Sequence, residues 1–329
     1  MQFKVYTRIR RIKSLWESII PNDDKRVYQS YRFNKLCEKY RKTSISGLKE
    51  KNTKCLYVVG FVDNKAVCIA PLCVDESPEK TIHVLGHGTN AGYLDFIYNE
   101  PVFVKDVLNY VERTYSDYSI DFTFIKESSP LISLLKTCEH FSNYCICIKT
   151  YDIWFARLSK NTRQNIRTAY NRLQSDKHIF ELCKYNRKSH HISFILSQCN
   201  NVYQRRKLDW QGIGGNVNKK NSLIFLLRDV IYRGLMKFQE SELVVLKIDE
   251  DIAGFFIGFK FQHGVYIPRL AIDTRYSRYS PGIIMINEYL KDISIEGLFY
   301  FDLCRGDESY KSKLGGECSS SFRLTKIVK

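Results

Sequence analysis

Residues 56–62 form a run rich in β-branched and aromatic side chains, and residues 66–72 form a second, with Asp63-Asn64-Lys65 between them. Two such runs joined by a short polar turn predict a β-hairpin. The pattern returns at 243–248 and 252–261 around Asp249-Glu250-Asp251. In both places a Val-Val pair, Val58-Val59 or Val244-Val245, begins five positions before the turn aspartate. Further strand-like runs follow at 82–85 and 94–98 in the first half, and at 265–272 in the second. Apolar residues at helical spacing then predict helices over 101–114 and 281–295. Short strands are expected at 120–125 and 298–304, and closing strands at 144–148 and 322–328. Each half reads strand, strand, strand, helix, strand, helix, strand, the order of a mixed sheet with helices on its faces.

The matched hairpins point to a duplication. We expect one domain over residues 1–149 and a second over 150–329, the second carrying a helical insertion at 159–239. A chain of 329 residues suits two cores better than one. It has no apolar run long enough to span a bilayer, and its first residues are interrupted by Lys4, Arg8, Arg10, Arg11 and Lys13. The expected location is the cytoplasm. Eleven cysteines include no CxxC pair and sit mostly in apolar runs, so reduced thiols are expected. No HExxH or comparable ligand spacing occurs, so no metal site is expected. The net charge of +16 calls for an anionic partner: nucleic acid, an anionic membrane, or a phosphorylated small molecule.

The two halves differ where chemistry belongs. The second passes from strand to helix through Ser280-Pro281-Gly282, and the first through Glu100-Pro101-Val102. A helix N-terminus presents unpaired N–H groups to a phosphate. Proline suits its first position, and glycine lets a ligand approach the backbone. A glutamate and a valine at the equivalent turn repel and block the same ligand. The donor site is therefore expected in the second half only, with the first as a scaffold.

The series Ala271-Ile272-Asp273, Tyr279-Ser280-Pro281-Gly282, Phe301-Asp302, Gly306 and Tyr310-Lys311 resembles GNAT-type acetyltransferases of the CelD/BcsL-like group, associated with cellulose and other exopolysaccharide synthesis. In the first half, Trp16, Pro71-Leu72, Leu85-Gly86, Tyr93-Leu94-Asp95 and the run from Glu127 to Leu131 fit the same group. The resemblance implies an α/β (α+β) fold of two tandem GNAT-like domains, each a mixed, mostly antiparallel sheet flanked by helices. That architecture is shared with Fem-type transferases. It also implies acetyl-CoA or another acyl-CoA as donor and an amine as acceptor. The family's phosphate loop is degenerate here, with one glycine and a proline in Arg278-Tyr279-Ser280-Pro281-Gly282.

On this reading Arg275 and Arg278 neutralise donor phosphates, Ser280, Pro281 and Gly282 cradle them, and the strand at Leu270, Ala271 and Ile272 aligns the thioester. Tyr310 is similar to the GNAT tyrosine that protonates the leaving thiolate; a packing tyrosine is the alternative. Asp302 and Asp273 lie at strand ends and are candidate bases; Asp302 capping the loop at Gly306 is the structural alternative, and Glu308 is the next candidate base. Arg163, Arg167, Tyr203, Arg206 and Lys311 are candidates for holding an acceptor such as a nucleotide- or lipid-linked sugar. The loop Gln211-Gly212-Ile213-Gly214-Gly215 lacks a dinucleotide fingerprint and reads as a lid or connector. Two other readings compete. One is a Fem-like transferase that uses aminoacyl-tRNA, and the other is a non-catalytic protein lying on an anionic membrane through residues 1–13.

Overall fold

A computed structural model describes residues 1–19, 27–42, 53–76, 79–89, 91–210, 234–261 and 263–328; for 40–42, 206–210 and 261 it describes the backbone alone. The chain divides into two compact units, one of residues 1–142 with 319–329 and one of residues 143–318.

In the first unit, β1 (Gln2–Tyr6), β2 (Thr53–Val62), β3 (Lys65–Asp75), β4 (Thr81–Val84) and β6 (Ser119–Lys126) lie side by side in that order, with β5 (Ile97–Tyr98) also on β3. The β2–β3 hairpin turns on Asp63 and Asn64, both at positive φ, a conformation these residues tolerate better than most. Helices α1 (Lys13–Ile19) and α2 (Tyr31–Lys42) pack on the hairpin, as does α3 (Val102–Thr114). Trp16, Phe33, Tyr57, Phe96 and Phe122 are fully buried between these layers.

The second unit orders its strands as residues 143–147 of β7 (Lys136–Cys147), β12 (Tyr300–Arg305), β11 (Gly264–Ile272), β10 (Asp251–Phe261), β9 (Ser241–Ile248) and β8 (Phe180–Tyr185). Helices α4 (Tyr151–Arg157) and α5 (Lys160–Ser175) are capped by Thr150 and Ser159, whose hydroxyls accept from the Ile153 and Thr162 amides. With α7 (Pro281–Ile295) they enclose a core containing Trp154, Ile166, Phe256, Met285, Tyr289 and Phe301. Helix α6 (Ile192–Trp210) packs on β10 and β11.

The expected repeat is visible in detail. Each unit has a hairpin, then a strand parallel to a fourth one: β4 with β6, and β11 with β12. That fourth strand is bulged in both, around Phe124 and Cys304, each at positive φ. A non-glycine residue held at positive φ inside a strand is rare, and finding it twice at matching places marks a common origin.

Three expectations need correction. Residues 143–147 pair with β12 and so close the second unit, while Ser321–Lys326 of β13 (Gly316–Lys326) pair with β6 and close the first. The closing strands are therefore exchanged relative to the reading from the sequence. The stretch 159–239 is not purely helical, because β8 runs antiparallel to β9 from Phe180↔Ile248 to Tyr185↔Leu243. Residues 1–13 are folded: β1 pairs with β2, and Ile9 and Ile12 are buried.

Candidate active site

The β11–β12 ladder is short. Its parallel pairs run from Gly264↔Tyr300 to Tyr266↔Asp302; beyond them, among the described residues, β11 continues to Ile272 without pairing to β12. The two strands part because each is bulged. Opposite Ile257 to Phe259 of β10, β11 carries one extra residue between Tyr266 and Arg269, where Pro268 has no N–H to donate. On β12 the bulge lies at Leu303–Cys304. The outer stretch of β11 thus offers backbone groups to a ligand. In the first unit the corresponding place is filled by the chain itself: the Leu94 amide donates to the Phe124 carbonyl at 3.0 Å, and residues 91–97 are buried.

Helix α7 starts over the end of β11. Ser280 adopts the left-handed conformation (φ 49°, ψ 55°) and Pro281 takes the first helical position. The Ser280 hydroxyl makes no capping bond; its carbonyl instead accepts from the Ile283 and Ile284 amides. A Cβ at Gly282 would lie 3.3 Å from Ile272 Cγ2, so a side chain there crowds the strand end.

Asp273 is 3% exposed and caps the 3-10 turn Thr274–Tyr279. Its carboxylate accepts from the Arg275 guanidinium (Nη2, 2.8 Å) and from Arg205 Nη2 at 2.9 Å. Burial alone would raise its pKa, but the Arg275 and Arg205 hydrogen bonds hold it below the usual carboxylate range. A carboxylate so held is a poor base, and Asp273 serves as the cap of this turn. Arg275 is therefore partly committed, and Arg278 pairs with Asp176 at 3.2 Å. Both keep more than half of the side chain in solvent, which leaves donors for a phosphate. In the same turn the Tyr276 hydroxyl donates to Asp251 at 2.7 Å. Burial and that carboxylate push its pKa up to about 12.

Asp302 is buried, and its Oδ1 accepts from the Cys304 amide at 2.7 Å. It stabilises the bulge, which favours the structural alternative over the base. Burial holds the Cys304 thiol well above its ordinary pKa, so it is not poised as a nucleophile. Lys311 is not an acceptor ligand: it is 2% exposed, and its ammonium donates to the Arg305 carbonyl at 2.6 Å and pairs with Glu308 at 3.0 Å. Glu308 folds over Gly306, whose φ of 123° and lack of a Cβ both require glycine, since a Cβ would meet Glu308 Oε2 at 2.3 Å. Tyr310, on the short helix α8 (Ser309–Lys313), is half-buried against the unit's core.

Of the acceptor candidates, Arg163 donates to the Ala156 carbonyl at 2.7 Å, and Arg167 is exposed. Tyr203 stacks beneath the buried Arg269 guanidinium, 3.9 Å from ring centroid to Cζ. The Arg206 side chain lies outside the described residues, as does the loop from Gln211 to Gly215. Arg205, beside Tyr203 and Arg206 a weaker acceptor candidate by sequence, instead pins Asp273; one residue passed over, Arg269, ties β11 to Asn200 of α6 at 2.9 Å. An arginine amid the apolar run of β11 was the one available signal.

Residues 160–312 match the family model of an acetyltransferase (GNAT) domain. No curated protein matches the chain. Among solved structures, FemX resembles it over all of this chain and 98% of its own, at 11% identity and a TM-score of 0.63. L-PGS from Bacillus licheniformis shares 11% identity over 97% of this chain and 92% of its own, with a TM-score of 0.54. A tandem GNAT protein from the clavulanic acid biosynthesis pathway is 7% identical over 98% of both chains, with a TM-score of 0.51. At these identities the likeness is one of fold, a tandem GNAT fold. With a GNAT acetyltransferase domain set in it, the chain is an acyltransferase.

Proposed function

We propose that the second unit transfers an acyl group from acetyl-CoA or another acyl-CoA to an amine. The observation that supports this best is a coincidence of place. The match at 160–312 spans both the parted strands β11 and β12 and the partly buried start of α7. The donor phosphates would sit at the turn of Ser280, Pro281 and Gly282, on the Gly282 amide and the Ser280 hydroxyl, because the Ser280 amide donates to the Ser277 carbonyl at 3.0 Å and proline has none; Arg275 and Arg278 stand at their rim. The thioester carbonyl would lie along β11, polarised by a backbone N–H near Leu270 or Ala271. The amine nitrogen attacks the carbonyl carbon, the C–S bond breaks, and Tyr310 gives its phenolic proton to the leaving thiolate. The amine proton passes to water or to Glu308, because Asp273 and Asp302 are engaged as caps. An amino sugar of cell-surface polysaccharide synthesis is the acceptor class we favour, on the resemblance to CelD/BcsL-like enzymes. Calorimetry with acetyl-CoA, followed by thiol release in the presence of glucosamine, tests the reading. Absence of donor binding at millimolar concentration overturns it.

One observation favours aminoacyl-tRNA as a second reading. Helix α5 has no acidic residue among its 16, and Lys160, Arg163 and Arg167 share one side of it at helical spacing. Steeply salt-dependent tRNA binding, lost on substituting those three, would support it over the coenzyme.

A further inference from the structure

One layer of the first unit carries a cluster of exposed basic side chains. The 3-10 turn Ile9–Ile12, α1 and α2 pack on one another, and the helices also pack on the β2–β3 hairpin. Their inward residues are apolar or neutral: Ile9, Ile12, Trp16, Phe33, Asn34 and Cys37 are all buried. Arg10 and Arg11 are the exposed residues of the turn, and Arg32, Lys35 and Lys39 those among the described side chains of α2. The last three stand at i, i+3 and i+7, the spacing of a single outward stripe. Lys4, Arg8 and Lys13 are exposed beside them. Across residues 1–19 and 27–39 this makes eight exposed basic side chains against two acidic ones, Glu17 and the buried Glu38. Of the two acids, Glu17 is paired with Lys13 at 3.6 Å.

We infer that this layer docks on an anionic lipid surface. The charge is of the right sign and clustered within one layer, and each basic residue near such a surface adds to attraction. Single-stranded nucleic acid is less well served, because it needs exposed aromatic platforms. Here Phe3 is stacked on Tyr110, Trp16 is buried, and Lys35 lies over the Tyr31 ring. The buried Ile9 and Ile12 also exclude docking through an amphipathic helix of residues 1–13, so the contact is electrostatic and shallow.

The test uses the full chain and vesicles of phosphatidylglycerol and phosphatidylcholine in equal parts, with pure phosphatidylcholine as reference. The chain sediments with the anionic vesicles at low salt and is released as the Debye length shortens toward ~8 Å. The variant R10Q/R11Q/R32Q/K35Q, whose substitutions are all on exposed side chains, binds roughly six hundredfold more weakly, at about fivefold per residue, and melts like the parent. Removing the same charge elsewhere, in K177Q/R187Q/K188Q/K237Q, leaves binding close to the parent's. Equal binding to both vesicle types, no binding at low salt, or equal loss in the two variants overturns the inference. So does binding of transfer RNA through the same four residues without binding to vesicles. No acyl donor enters the measurement, so its failure leaves the acyltransfer reading untouched, and the reverse holds.

Discussion

Replacing Gly282 by glutamate separates a phosphate site from an ordinary capped helix. Residue 282 is the second residue of α7, and its Cβ position is 3.3 Å from Ile272 Cγ2, beside the place where the donor phosphates are proposed to bind. A carboxylate at a helix N-terminus is itself favourable by about 0.3–1 kcal/mol, and losing a helical glycine adds about 0.5–1 kcal/mol. The fold is therefore expected to hold or gain slightly, less whatever the contact with Ile272 costs. The donor fares differently: one pair of like charges ~4 Å apart, at an effective dielectric of ~20, costs about 4 kcal/mol. That is roughly a thousandfold in Kd. Calorimetric titration with acetyl-CoA, alongside thermal melts, reads both quantities. Gly282→Ala is the control; it adds only the methyl group that touches Ile272 and should bind donor within a few-fold of the parent. If Gly282→Glu binds acetyl-CoA as tightly as the parent while melting normally, the phosphates do not bind at this turn.

Tyr310→Phe should lower kcat by about a hundredfold or more if the phenol is the general acid, with donor Kd and melting temperature little changed; a purely packing tyrosine would move only the last. Lys311→Met removes the cation that satisfies the Arg305 carbonyl and Glu308, and should destabilise the chain by about 1–3 kcal/mol, seen as a lower melting temperature. Asp273 has its folded pKa depressed, so its pairing stabilises the chain above its unfolded pKa, near ~3.9, and the gain is lost as pH falls through the lower folded value. Asp273→Asn should therefore melt below the parent at neutral pH, with the gap closing in acid; a gap that stays constant with pH would refute the ion-pair account.

The hairpins were legible because period-two runs and Asp turns are local signals, and both appear where expected. The closing strands were not. Residues 144–148 and 322–328 each read as strands, but nothing in an alternating pattern records which neighbour a strand will choose. The position of β8 was hidden for a similar reason: Phe180-Glu181-Leu182 is too short a signal between two long helices. At the site, the strand-to-helix turn could be read from its residues. The engagement of Asp273 by Arg205, 68 positions away, could not, because ion pairs of that reach leave no spacing to detect. Lys311 looked like a surface cation because a five-residue helix has no period from which burial can be inferred.

The exchanged closing strands set an order for folding during synthesis. Domains of a chain ordinarily fold in turn as they emerge, the first before the second. Here β6 of the first unit lacks its neighbour until Ser321–Lys326 arrive, after the whole of the second unit has been made. The second unit, by contrast, has residues 143–147 waiting before most of it is made. The unit that begins first thus finishes last. A fragment cut at the midpoint of the chain would leave β6 as an open edge, a template for aggregation, so neither half is expected to behave as a free-standing protein.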